Sequence, residues 1–194
     1  MHDSSHTKKA TISAINNSPD SVFRLIDISM LTHEDNFISL NQKLNYYVHS
    51  KKILSLRRRI YAKLNYSYEE VANKIYTPSY ISLEYVLIKN GIISQANKTL
   101  TSVCYLSRQI KINDQTFLYH KLKREVLVNP SGVQRINNVN IATQERAFLD
   151  LLYLGKKYDF NNLDTLDKSI INQILPIYES KKLSNYIKNL LKND

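Results

Sequence analysis

The chain has 194 residues, room for one medium domain or for two small ones with separate cores. Lysine and arginine number 27 against 17 aspartates and glutamates, a formal charge of +10 that favours a polyanionic partner or an anionic membrane surface. No apolar run reaches the ~18 residues of a spanning helix, MHDSSHTKKATISAINN lacks the apolar stretch of a signal peptide, and the single cysteine, Cys104, excludes an intramolecular disulfide. A cytoplasmic protein with no membrane partner is expected.

Thr7 to Asn16 forms a short first helix, punctuated by the turn chemistry of Ser18-Pro19-Asp20. VFRLIDISML, Val22 to Leu31, fits a brief strand entering a second helix, and THEDNF is the turn after it. With Ser39 as N-cap, a third helix carries Leu40, Leu44, Tyr47 and Val48 at i, i+4, i+7 and i+8, one apolar stripe facing a core. Its opposite face holds Asn41, Gln42, Lys43, Asn45, Tyr46 and His49, donors and acceptors suited to base edges and phosphates. Lys51 and Lys52 follow, and Ile53, Leu54, Leu56, Ile60 and Tyr61 then bracket Arg57, Arg58 and Arg59 in a basic β-hairpin. Three fork-shaped cations on one hairpin suit phosphate oxygens better than a core.

Helix, strand, helix, turn, helix, hairpin is the order of a winged helix-turn-helix, which lays its polar helix in a DNA groove and its hairpin on the neighbouring phosphates. The plainer alternative is a solvated basic turn behind an ordinary core helix. Residues 1–66 hold 10 Lys and Arg against 5 Asp and Glu, and residues 67–194 hold 17 against 12, so the positive excess is denser in the first part.

The second part reads as mixed α and β. Tyr68–Tyr76 and Ser79–Asn90 have helical patterns separated by Thr77-Pro78, with Gly91 as a C-terminal stop. Leu100–Leu106 and the stretch from Gln109 through Leu127 alternate as strands, with Asn113-Asp114 as a hairpin turn. Thr143–Leu154 is a helix, followed by two more over about Asp164–Leu175 and Glu179–Lys192, parted near Pro176. The fold class expected is therefore mainly α with α/β elements: an N-terminal winged helix-turn-helix (1–66) and a C-terminal mixed α/β domain ending in helices (67–194).

Catalytic signatures are missing from the sequence, and no enzyme, cofactor or metal is expected. Three glycines, Gly91, Gly132 and Gly155, build neither a P-loop nor a dinucleotide fingerprint. The five histidines, His2, His6, His33, His49 and His120, lack the partner spacing of a zinc site. Glu145, Arg146 and Asp150 form a polar cluster within an apolar helix, where Arg146 and Asp150 at i, i+4 can pair. That cluster is expected to fix the helix against its neighbours, the alternative being a partner-directed or catalytic role. Glu84 and Arg108 also stand beside apolar neighbours and are expected to pair with each other or with Arg146. Lys111, Lys121, Lys123 and Arg124 are candidates for a second DNA contact.

Taken together, SLRRRIY, ANKIYTPSYISLEYVL, TSVCYLSRQIKINDQTFLYHKLK and IATQERAFLDLLYL resemble the AbiE-type (AbiEi family) antitoxins of bacterial type IV toxin–antitoxin, or abortive infection, systems. The resemblance runs from about Val22 to the last helices, and its most specific parts are PSYISLE and IATQERAFLDLLY. It implies a repressor of its own operon that binds double-stranded operator DNA, with inverted repeats expected, and confers phage resistance. It further implies a C-terminal domain that counteracts a cognate nucleotidyltransferase-type toxin, with direct contact left open. Family members carry a glycine in the wing where this chain has Arg59, so that either the wing bends differently here or the hairpin has gained a phosphate contact. Two other functions stay open: a winged-helix regulator with a ligand-sensing or oligomerising second domain and no toxin partner, and an RNA-binding protein using its tyrosine-rich basic surface.

Overall fold

The computed structural model describes residues 4–94 and 98–192. It is an α/β fold in two compact units, Met1–Ile75 and Tyr76–Asp194. Among the described residues no helix is long and apolar enough to cross a membrane.

The first unit runs α1 (Ser4–Asn17), β1 (Val22–Arg24), α2 (Leu25–Thr32), α3 (Phe37–His49), β2 (Leu54–Arg57), β3 (Ile60–Ala62) and α4 (Tyr68–Ile75). Its three strands are ordered β1-β3-β2 and pair antiparallel, with Phe23 and Ser55 both opposite Tyr61. Ile15, Phe23, Leu25, Ile28, Leu40, Leu44, Tyr47, Ile53 and Tyr61 form its core, so the apolar stripe of α3 does face inward. The helix nevertheless begins at Phe37, two residues before Ser39. Asn36 is the cap, its side-chain oxygen accepting from the backbone N–H groups of Ile38 and Ser39. At its other end Lys52 N–H donates to Tyr47 C=O and Lys51 N–H to Val48 C=O, the paired bonds that close a helix through a left-handed residue.

The structure also moves the boundary between the two parts from residue 66 to Ile75, because α4 is tied back onto the first strand. Glu70, buried, accepts from the backbone N–H groups of Ser21 at 2.7 Å and Val22 at 3.0 Å. Lys74 reaches Asp20 at 3.1 Å and Asp27 at 3.0 Å. Burial pushes the Asp27 carboxyl up, but Arg24 and Lys74 outweigh it and hold it below its ordinary value.

In the second unit a six-stranded mixed sheet has the order β6-β7-β5-β4-β9-β8. Its strands are β4 (Ser79–Ile81), β5 (Leu100–Cys104), β6 (Arg108–Ile112), β7 (Gln115–Lys121), β8 (Val133–Ile136) and β9 (Val139–Ala142). Its helices are α5 (Glu84–Lys89), α6 (Arg124–Val128), α7 (Gln144–Tyr153), α8 (Lys168–Ile174) and α9 (Lys181–Lys192). Two segments differ from the sequence expectation. Ser79–Ile81 is a central strand and not the start of a helix, because β5 and β9 flank it and take its hydrogen bonds. The turn into α5 is then made by Leu83, fully buried at φ +62°. Arg124–Val128 coils into a short helix once Leu122 N–H has made the last bond to Cys104 C=O. Cys104 itself is buried in β5.

A fragment of residues 1–66 lacks the Glu70 carboxylate and leaves the buried Val22 N–H without its partner, a loss of about 1–3 kcal/mol. In urea titrations followed by circular dichroism, fragment 1–75 is therefore expected to unfold at a higher midpoint than fragment 1–66. Equal midpoints would show that α4 adds nothing to the first unit.

Candidate nucleic-acid interface

With Leu40, Leu44 and Tyr47 at or near zero exposure, the 3.6-residue period of α3 turns Ile38, Gln42, Asn45 and His49 outward along one line. Gln42, Asn45 and His49 are exposed, and Tyr46 beside them is half exposed. Two other residues predicted for this face are engaged within the protein. Asn41 donates through Nδ2 to the Phe37 carbonyl at 2.8 Å and accepts from the Tyr61 hydroxyl at 3.3 Å. Lys43 is ion-paired with Glu34 at 2.6 Å, a contact that holds the Glu34 carboxyl below its ordinary value. Sequence periodicity could not see Tyr61 or Glu34, since both lie outside α3. It also passed over Ile38, the most exposed large apolar side chain among the described residues at 75%.

The hairpin supplies the cations. Arg57, Arg58 and Arg59 are all exposed, and Arg58 and Arg59 form the two-residue turn closed by the Arg57–Ile60 pair. Arg59 adopts φ +63°, and its carbonyl accepts from Leu25 N–H at 2.9 Å. The hairpin thus bends as a glycine would allow, with an arginine in the glycine's place. Lys51 repeats the pattern. It stands at φ +55° in the left-handed cap position after α3, which glycine usually fills. Lys51 and Lys52 are exposed as well. Two cations therefore sit where an L-side chain is strained by about 1 kcal/mol relative to glycine.

In the second unit the Glu145, Arg146, Asp150 cluster is interior. Arg146 and Asp150 have no exposure, and Glu145 is buried with its Oε1 taking bonds from Gln144 and the Asp167 N–H. Arg146 Nε lies 3.2 Å from Asp150, its Nη1 donates to Ser131 C=O and its Nη2 to Val126 C=O, both at 2.7 Å. Asp150 also accepts from the hydroxyls of Tyr80 (2.9 Å), Ser82 (2.7 Å) and Tyr178 (2.6 Å). Burial raises the Asp150 carboxyl above its ordinary value, against the pull of Arg146 and these hydroxyls. Burial and the neighbouring carboxylate keep Tyr80 and Tyr178 protonated as donors. Gly132 completes the cage, because a Cβ there would stand 2.8 Å from Arg146 Cβ and 2.6 Å from Ile174 Cδ1. Tyr80, Ser82 and Tyr178 escaped the sequence reading, being distant in the chain from Arg146.

Glu84 pairs with neither Arg108 nor Arg146. It is buried and takes the Lys156 ammonium and the Tyr158 hydroxyl on Oε1, while Arg108 is exposed on β6. Burial would raise the Glu84 carboxyl, and Lys156 and Tyr158 instead bring it below its ordinary value. Lys156 Nζ is also 3.0 Å from His120 Nε2, and burial with that cation lowers the imidazole. Lys111, Lys121, Lys123 and Arg124 are exposed on β6, the end of β7 and the start of α6. His2 lies outside the described residues, and among the described residues no three His, Cys, Asp or Glu side chains gather as a metal site.

No family model matches the chain. Over 91 residues it is 33% identical to the uncharacterized protein ORF69 of Ostreid herpesvirus 1 (isolate France), a match covering 46% of this chain and 20% of the viral protein's length.

Arg146→Ala removes one partner of a fully buried, hydrogen-bonded pair and should destabilise the second unit by about 3–5 kcal/mol, read as a lower urea midpoint. An unchanged midpoint would mean the pair contributes little to the fold. In the first unit the opposite sign is expected. Arg59→Gly and Lys51→Gly relieve strained backbone and should each raise stability by about 0.5–1 kcal/mol, net of the added chain entropy.

Proposed function

We propose that the first unit is a winged helix-turn-helix that binds duplex DNA, with α3 in the major groove and the β2–β3 hairpin as its wing. The observation that carries this reading is the pair of left-handed cations. Lys51 and Arg59 occupy positions where glycine would be cheaper, at the end of the outward-facing helix and at the tip of the hairpin. Exposed His33 and Glu179 share the left-handed geometry, so what singles out Lys51 and Arg59 is positive charge beside Lys52, Arg57 and Arg58, which suits phosphate oxygens. The element order and the β1-β3-β2 sheet support the same assignment. Gln42, Asn45, Tyr46 and His49 address the groove, while Lys51, Lys52, Arg57, Arg58 and Arg59 take phosphates.

By its resemblance to the AbiE-type antitoxins, the chain acts as repressor of its own operon and as antitoxin to a nucleotidyltransferase-type toxin. Both segments that carry the resemblance most specifically, PSYISLE and IATQERAFLDLLY, feed one buried network through Tyr80, Ser82, Arg146 and Asp150. In this reading the cluster holds the antitoxin domain's shape and does not itself touch the toxin.

A second reading, a regulator whose second unit senses a ligand, is favoured by one observation. A cavity of about 740 Å³ opens beside α9, lined by Tyr153, Lys157, Tyr158, Phe160, Lys182 and Tyr186. Its size and its rings suit a small aromatic molecule, with Asp159 on the lining beside the lysines.

Fluorescence anisotropy with duplex DNA from upstream of the chain's own gene tests the first part. Each phosphate contact releases counterions, so replacing Arg57, Arg58 and Arg59 together by Ala should flatten the slope of log K against log salt by up to about 3 units. An unchanged slope in the folded variant would remove the wing from the interface, and tighter binding to single-stranded RNA would remove duplex DNA as the partner. Co-expression with an adjacent nucleotidyltransferase gene, scored for growth, tests the antitoxin role. Operator binding without protection would favour the ligand-sensing reading.

A further inference from the structure

The outward line of α3 begins with a side chain that can neither donate nor accept a hydrogen bond. Ile38 is 75% exposed, opposite the buried Leu40, Leu44 and Tyr47, and one turn before Gln42. It is the second residue of the helix, held by the Asn36 side chain through its own backbone N–H at 3.1 Å. A β-branched side chain in a helix is stiff at χ1, so its methyl groups are presented with little conformational freedom to lose. The acidic residues nearest to Ile38 in the chain, Glu34 and Asp35, precede the Asn36 cap; Glu34 is ion-paired with Lys43 and Asp35 is exposed.

From this arrangement we infer that Ile38 is a specificity-determining residue that packs against the 5-methyl group of thymine in the major groove. The inference rests on the DNA-binding reading of the first unit and deepens it. Residues near the start of a recognition helix meet base edges, and the thymine methyl is the one apolar feature those edges offer. Gln42 and Asn45, next along the same line, carry the amide groups that pair with the N6 and N7 edge of adenine. The three residues together select a run of A·T pairs with a thymine at a fixed step before the adenine contacts. The adjacent Phe37 is also 43% exposed, so a second copy of the chain is the competing occupant of an apolar contact at Ile38.

The experiment uses the full chain and the duplex from upstream of its gene. The bound segment is mapped by footprinting, and each of its thymines is then replaced singly by deoxyuridine, which deletes the methyl and keeps the base pairing. Burying one methyl group is worth about 0.8 kcal/mol, so one position per half-site should weaken binding about fourfold. Ile38→Ala should bind the thymine duplex about as weakly as the wild type binds the uracil one, and should ignore the replacement. Ile38→Val, which keeps a branched apolar tip, should remain sensitive to it. Wild-type binding that is tight yet indifferent to every deoxyuridine would overturn the role of Ile38 and leave the DNA reading standing. So would a dimer, seen by sedimentation, that Ile38→Ala dissociates while the deoxyuridine duplexes bind normally. Failure to bind any duplex at low salt would overturn the DNA reading itself.

Discussion

A guanidinium with no exposure to water must have every donor satisfied, and much of the second unit is arranged to meet that demand for Arg146. The carbonyls of Val126 and Ser131, the hydroxyl of Tyr80 and the carboxylate of Asp150 surround it, drawn from α6, the following loop, β4 and α7. Tyr178, from the turn between α8 and α9, then bonds the far side of Asp150. Five stretches of chain are thereby fixed against one ion pair. An apolar core tolerates small slides between elements, whereas an unpaired buried charge does not, so the network sets which arrangement of these elements is populated. The close approach of Gly132 to Arg146 Cβ shows how little room that arrangement leaves.

The first unit is organised on a different principle. Its core is apolar and ordinary, built on Leu40, Leu44, Tyr47 and the strand residues Phe23 and Tyr61. Its unusual features are on the outside, where cations stand at left-handed backbone positions and an isoleucine leads a polar helix face. Local rules of turn and cap chemistry are broken at Lys51 and Arg59 without any gain in packing, since both side chains are exposed. The same left-handed geometry recurs at exposed His33 and Glu179, which carry no such cation. The ion pair between Lys43 and Glu34, in contrast, withdraws one charge of α3 from that surface and spends it on the turn before the helix.

Sequence periodicity determined a good deal. The apolar stripe of α3, the strand-to-helix passage at Val22–Leu31, the arginine hairpin and the hairpin around Asn113 were all legible, because each depends on residues a few positions apart. The strained geometry of the arginine turn was not, although the absence of the resembling family's glycine raised the question. Helix boundaries shifted for local reasons that the sequence did contain, as with Asn36 taking the cap from Ser39.

What only the tertiary structure decided are the pairings that cross the chain. SYISLEYVLIKN has a helical pattern, yet its first residues form a central strand because β5 and β9 are there to take the hydrogen bonds. Glu84 had two basic candidates in the sequence, Arg108 and Arg146, and the partner that arrives is neither of them but Lys156, 72 residues away. Helix α4 joins the first unit through Glu70 and the N–H groups of Ser21 and Val22, some fifty residues earlier in the chain. Propensity and periodicity act over a turn or two and are written in the sequence. Satisfying a buried charge or an unpaired strand edge depends on which distant group folding brings within hydrogen-bond reach, and that is settled only when the chain has closed on itself.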